Sequence, residues 1–157
     1  NSVIKNYPRA HVAWYNLGIG LEKKNETALA EQYYTNAINA SSNYYEAYYN
    51  RGLIRGKNGR LEEAIEDFNS ALRIVPNYIP AYTNRAIANC FLKRFDKAIE
   101  DFNNAVNINP KDGNCLYNRG ILKINELKDK DGGCSDLKRA AETGFEGAEA
   151  AFKNNCQ

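Results

Sequence analysis

The six residues Ala64-Ile65-Glu66-Asp67-Phe68-Asn69 recur unchanged as Ala98-Ile99-Glu100-Asp101-Phe102-Asn103, 34 residues later. A unit of this length cannot bury its own apolar face and must stack on neighbouring copies. The period extends along the chain. Tyr48-Tyr49-Asn50-Arg51-Gly52 answers to Leu116-Tyr117-Asn118-Arg119-Gly120 at twice the spacing. Tyr82-Thr83-Asn84-Arg85-Ala86 lies midway, and Trp14-Tyr15-Asn16-Leu17-Gly18 one period earlier. Within a period, small and apolar residues return every three or four positions, as in Ala64, Phe68, Ala71 and Leu72, which is the spacing of one helix face. Asn58-Gly59 interrupts the pattern between two such stretches, and Pro76 and Pro110 follow them. The spacing predicts helix pairs over 10–23 and 27–40, 44–57 and 61–74, 78–91 and 95–108, and 112–126 and 130–142.

With Trp14, Leu17, Gly18, Leu21, Ala30, Tyr34 and Ala37 at their offsets, the period resembles the tetratricopeptide repeat. Tyr48, Gly52, Ala64, Phe68, Ala71 and Pro76 carry the resemblance in the second copy, and Tyr82, Ala86, Ala98, Phe102, Ala105 and Pro110 in the third. The fourth keeps Gly120, Leu137 and Ala140 but needs one extra residue in the turn near Lys128 to Lys130. The resemblance implies an all-α fold, a right-handed superhelical solenoid of about four helical hairpins plus a C-terminal capping helix. Its repeats would run 11–44, 45–78, 79–112 and 113–144. Residues 1–10, with Pro8 in register with Pro76, read as the end of a preceding repeat, which implies a further repeat upstream. Residues 145–157 read as the cap, with Phe145, Ala148, Phe152 and Cys156 on its apolar side and Glu146, Lys153 and Asn154 outside. The run Ala140-Ala141-Glu142-Thr143-Gly144 leading into Ala148 also resembles a Sel1-like repeat.

Two departures from the family pattern carry physical content. Where a large apolar residue is usual in the first helix, Leu21 fits but Arg55, Asn89 and Lys123 do not. The stems of arginine and lysine can still cover apolar surface, whereas Asn89 cannot, so the third hairpin is expected to pack least well. Arg51, Arg85 and Arg119 stand where leucine is commoner, and Asp67, Asp101 and Asp136 recur one helix later. The first copy has Leu17 and Tyr33 instead, so both partners are present or both absent. An Arg–Asp pair joining the two helices of a hairpin is the simplest account, with pairing to a neighbouring repeat or to a ligand as alternatives.

The strongest functional signal is a second repeat-locked residue. Asn16, Asn50, Asn84 and Asn118 share one position, off the core face of the first helix of each pair. Tyr15, Tyr49, Thr83 and Tyr117 stand beside them, and Ile19, Leu53, Ile87 and Ile121 one turn on. In the family that face lines a concave surface. An amide matches a backbone N–H and C=O. Packed helices lie about 8–10 Å apart, close to the roughly 9 Å advance of three polyproline-II residues. The ladder resembles the asparagine ladder of the O-linked N-acetylglucosamine transferase repeats, which holds substrate backbone. It differs from the chaperone-tail clamp, whose lysines and arginine are replaced here by Tyr15, Ile19, Tyr49, Leu53, Pro80 and Asn114. The expected site is therefore Tyr15, Asn16, Ile19, Tyr49, Asn50, Leu53, Asn84, Ile87, Tyr117, Asn118 and Ile121, binding an extended segment of another polypeptide. Asparagines that cap or bridge helices are the alternative, and the two roles can coexist.

A formal charge of +2 is too small for non-specific nucleic-acid binding. Apolar runs are too short for membrane insertion. With no C-x-x-C pair and one histidine, His11, no metal is expected, nor any cofactor. Without a nucleophile–base pair or a phosphate-binding glycine loop, the chain is not read as an enzyme. Cys115 and Cys134 take positions held elsewhere by alanine and isoleucine and are expected as small buried residues, while Cys90 is placed toward the groove. In an oxidising compartment Cys134 and Cys156 could instead be bonded, tying down the cap. Oligomerisation through repeat ends, docking into an assembly through the convex face or the repeat edges, and a cytoplasmic or an exported location all stay open.

Overall fold

The computed structural model describes residues 10–157; the expected preceding repeat end, with Pro8, falls outside them except for Ala10. Among the described residues there are nine α-helices and no strand. The helices are α1 (Ala10–Lys23), α2 (Thr27–Ala40), α3 (Tyr45–Lys57), α4 (Leu61–Ile74), α5 (Ile79–Phe91), α6 (Phe95–Ile108), α7 (Gly113–Asn125), α8 (Lys130–Glu142) and α9 (Ala148–Cys156). The chain forms two compact units, Asn1–Pro76 and Asn77–Gln157. In the first, α1 pairs with α2, α3 with α4, and α2 packs on α3. In the second, α5 pairs with α6 and α7 with α8, α6 packs on α7, and α9 folds back on α8.

Close pairing rests on small residues. A Cβ added at Gly52 would lie 2.8 Å from the Phe68 ring, and one at Gly18 2.6 Å from the Tyr34 ring. Ala30, Ala37, Ala47, Ala64 and Ala71 are fully buried in the first unit, as are Ala81, Ala86, Ala98, Ala105 and Ala140 in the second. The aromatic or leucine of each second helix (Tyr34, Phe68, Phe102, Leu137) fills the space these small residues leave.

The turns inside the pairs repeat one device. Glu26 N–H bonds Leu21 O at 2.9 Å and Asn25 N–H bonds Glu22 O at 2.9 Å. The same two bonds link Arg60 to Arg55 and Gly59 to Gly56, then Arg94 to Asn89 and Lys93 to Cys90. This Schellman closure requires a left-handed residue, supplied by Asn25, Gly59 and Lys93 at φ of 62°, 76° and 57°. In the fourth pair the left-handed residue is Lys128, and Asp129 N–H reaches six residues back to Lys123 O. That is the extra residue the register demanded. Asp112 and Asp129 cap α7 and α8 by accepting from the backbone N–H groups of Cys115 and Gly132.

The last helix corrects one expectation. Cys134 is not a free buried thiol but is bonded to Cys156 across 22 residues. With α9 lying along α8, the two Cα atoms come within 5.7 Å, inside disulfide reach. Ala148 is buried, Phe145 and Phe152 are half-buried, and Glu146, Lys153 and Asn154 are exposed. Cys115 and Cys90 remain free; burial pushes the Cys115 thiol up to about 12.

Candidate functional site

The repeat-locked arginines are structural. Arg51 grips Asp67 through both Nε (3.0 Å) and Nη2 (2.7 Å), and Arg119 grips Asp136 in the same fork at 2.8 and 2.7 Å. Arg85 and Asp101 repeat it at 2.9 and 2.5 Å. All three aspartates are buried. For Arg51 and Arg119 both protein-partner accounts hold at once, because the remaining Nη1 reaches the preceding pair. Arg51 donates to Thr35 Oγ1 at 3.0 Å and Arg119 to Asn103 Oδ1 at 2.9 Å. Tyr48 and Tyr82 lie under the guanidinium groups of Arg51 and Arg85.

The off-pattern residues complete this network unevenly. Arg55 adds a second cation to Asp67 at 3.0 Å, and Lys123 adds one to Asp136 at 3.0 Å. Burial alone would raise the Glu31 carboxyl, but Arg60 and Arg55 outweigh it and hold it below its ordinary range. Asn89 takes the same place in the third pair. It is 3% exposed, and its Oδ1 is buried without a hydrogen bond from any described residue. Burial raises the Asp101 carboxyl, and Arg85 offsets this only in part.

The ladder positions divide between the units. In the first, Tyr15 packs tilted against Tyr34 and edge-on against Tyr44, and its hydroxyl accepts from Asn50 Nδ2 at 3.1 Å, joining α1 to α3. Asn16 is exposed, and Ile19, Tyr49 and Leu53 are half-buried. In the second, Asn84 Nδ2 donates to Pro80 O at 2.9 Å, and Asn118 Nδ2 to Asn114 O and Oδ1, each at 2.8 Å. Ile87, Tyr117 and Ile121 are half-buried, and Tyr117 leans on Phe145. Thr83 departs from its row: it is buried beside Cys115, because its short side chain cannot reach outward. The amides thus spend N–H donors within the fold, so what Asn118 offers outward is chiefly its carbonyl oxygen.

Sequence reasoning missed a hollow of about 700 Å³ in the second unit, lined by Ile87, Cys90, Phe91, Phe95, Phe102 and Ile121 among others. Phe91 is 73% exposed. The signal was present, since Phe91 stands where the earlier periods have Lys23 and Lys57. His11 sits edge-on against Tyr44, and no group of three or more potential metal ligands occurs among the described residues.

The family model for the tetratricopeptide repeat matches residues 45–78 and 79–112. Residues 45–112 carry two tetratricopeptide repeats. Such repeats present binding surfaces to other polypeptides. No curated protein sequence matches the chain. Among solved structures, MamA (41-end) from Desulfovibrio magneticus RS-1 superposes with a TM-score of 0.77 at 18% identity, covering 85% of this chain and 75% of that one. A thermophilic tetratricopeptide repeat protein of Thermus thermophilus gives 0.75 at 20%, covering 91% and 81%. The first such domain of Spaghetti (RPAP3), bound to an HSP90 peptide, gives 0.71 at 18%, covering 74% and 92%. These likenesses establish the fold. No helix among the described residues is long and apolar enough to cross a membrane.

Proposed function

We propose that this repeat chain is a scaffold that holds an extended segment of another protein on the exposed face of its first helices, and that it catalyses no reaction. The carrying observation is the ladder itself. In each unit an asparagine stands between half-buried Tyr and Ile or Leu side chains at a fixed register, with at least one amide N–H engaged within the fold at Asn50, Asn84 and Asn118. Carbonyl oxygens fixed in this way suit the N–H groups of an extended backbone. The apolar neighbours Tyr15, Ile19, Tyr49, Leu53, Ile87, Tyr117 and Ile121 suit its side chains. Each hydrogen bond contributes only about 0.5–1.5 kcal/mol, so several must act together. The lack of lysine or arginine around Asn50 and Asn84 at the clamp positions disfavours a terminal carboxylate as the main determinant.

The test compares proteins captured from source extract by the wild-type chain and by Asn50→Ala/Asn84→Ala/Asn118→Ala, once circular dichroism shows both folded. A client lost only with the variant supports the reading; identical recoveries sink it. One observation favours a second reading, docking into an assembly through an end. On α1, Val12, Trp14 and Leu17 are exposed, Leu17 by 50%, whereas the counterparts of Trp14 and Leu17 in α7, Leu116 and Arg119, are buried. A complex that survives the ladder substitutions but not Leu17→Lys would select it.

A further inference from the structure

We infer that the hollow at the end of α5 takes one large apolar side chain of the bound peptide, a specificity pocket beside the ladder; this rests on the peptide-binding reading above. The repeats of the chain provide the comparison. Shifted back by two periods, Cys90, Phe91, Phe95 and Phe102 become Glu22, Lys23, Thr27 and Tyr34. In the first unit that corner is closed by a polar bond, because the Tyr34 hydroxyl donates to Glu22. In the second unit all four positions are apolar; at two of them the intervening copy already has Leu61 and Phe68, so the changes particular to this corner are Cys90 for Gly56 and Phe91 for Lys57. Phe102 has no hydroxyl, Cys90 is a short wall residue, and Phe91 stands 73% exposed at the mouth. A solvated helix end gains nothing from an exposed phenylalanine in place of lysine, whereas a hollow that must desolvate an apolar group does.

The rim selects the occupant. Lys93 and Glu126, of opposite charge, both line the hollow, and Asn118 and Asn125 add amides. A fatty acid or other anion would meet Glu126 as well as Lys93. An uncharged main chain with an aromatic or large aliphatic side chain matches both the rim and the floor of Ile87, Ile121 and Leu122. Burial, with the Glu126 charge behind it, pushes the Cys90 thiol up to about 11, in keeping with a wall residue and not a nucleophile.

The test uses methyl-labelled chain and two capped heptapeptides, Gly-Gln-Gly-Phe-Gly-Gln-Gly and the same sequence with serine for phenylalanine. The phenylalanine peptide should shift the Ile87, Ile121 and Leu122 methyl resonances and bind at least about tenfold tighter than the serine peptide. Phe91→Lys, which restores the residue of the first unit, should erase that difference, and Phe95→Thr should do so independently. Equal binding of both peptides, weakened alike by Asn118→Ala, would overturn the pocket and leave the ladder standing. No shift with either peptide would count against both. Decanoate binding more tightly than the phenylalanine peptide would reassign the hollow to an acyl ligand. Self-association abolished by Phe91→Lys would reassign it to a second copy. Either result overturns the inference.

Discussion

The corner where α1 turns into α2 and the corner where α5 turns into α6 share a backbone and differ in chemistry. Both close with the same pair of turn hydrogen bonds. The first is sealed by Tyr34 and Glu22, and burial together with that carboxylate pushes the Tyr34 phenol far above its ordinary range, so it remains a donor. The second holds Phe102 and Cys90 and is open. Repetition supplies the internal control. The position of Tyr34 and Phe102 stays large and buried in every copy, whereas the exposed position of Phe91 is lysine in the two copies before it and is free for another purpose. The contrast also reaches the cysteines, all four of which lie in the second unit.

The largest expected effect lies where the units agree. Asp67→Ala and Asp136→Ala each strand two partly buried cations, so each should cost about 3–5 kcal/mol in urea unfolding. Asp101→Ala should fall at the low end, because Asn89 stands where Arg55 and Lys123 supply the second cation. Equal losses at all three would show that Arg55 and Lys123 add nothing. Next, Cys156→Ser should destabilise the second unit by about 2–4 kcal/mol. Reductant should mimic it in a thermal melt, and alkylation of the urea-unfolded chain should count two thiols before reduction and four after.

A transplant tests the corner directly. Tyr34→Phe should cost about 1.5–3 kcal/mol, the usual worth of a hydrogen bond to a charged group. Cys90→Glu alone should destabilise, and adding Phe102→Tyr should recover about 1 kcal/mol in a double-mutant cycle. No coupling would mean that the two corners are not equivalent. The smallest effect concerns the turns. Lys93→Gly should stabilise by about 1 kcal/mol by relieving the left-handed lysine. Asn25→Gly should change little, because asparagine tolerates that conformation.

Much of this was legible in the sequence because a repeat is a one-dimensional code. Helix limits within a residue or two, the extra residue before Lys130, the Arg–Asp pairs and the poor fit of Asn89 all follow from register and residue size, quantities that need no partner to define them. Tertiary structure decided what depends on two elements meeting. The register could place Asn50 off the core face but could not say that Tyr15 would take one of its protons. Cys134 occupies an isoleucine's position, yet the return of α9 along α8 brings Cys156 to it. The apolar hollow is a property of space left unfilled by α5, α6 and α7 together, which no single periodicity encodes. Local patterns fix which way a side chain points, and only packing fixes what it meets there.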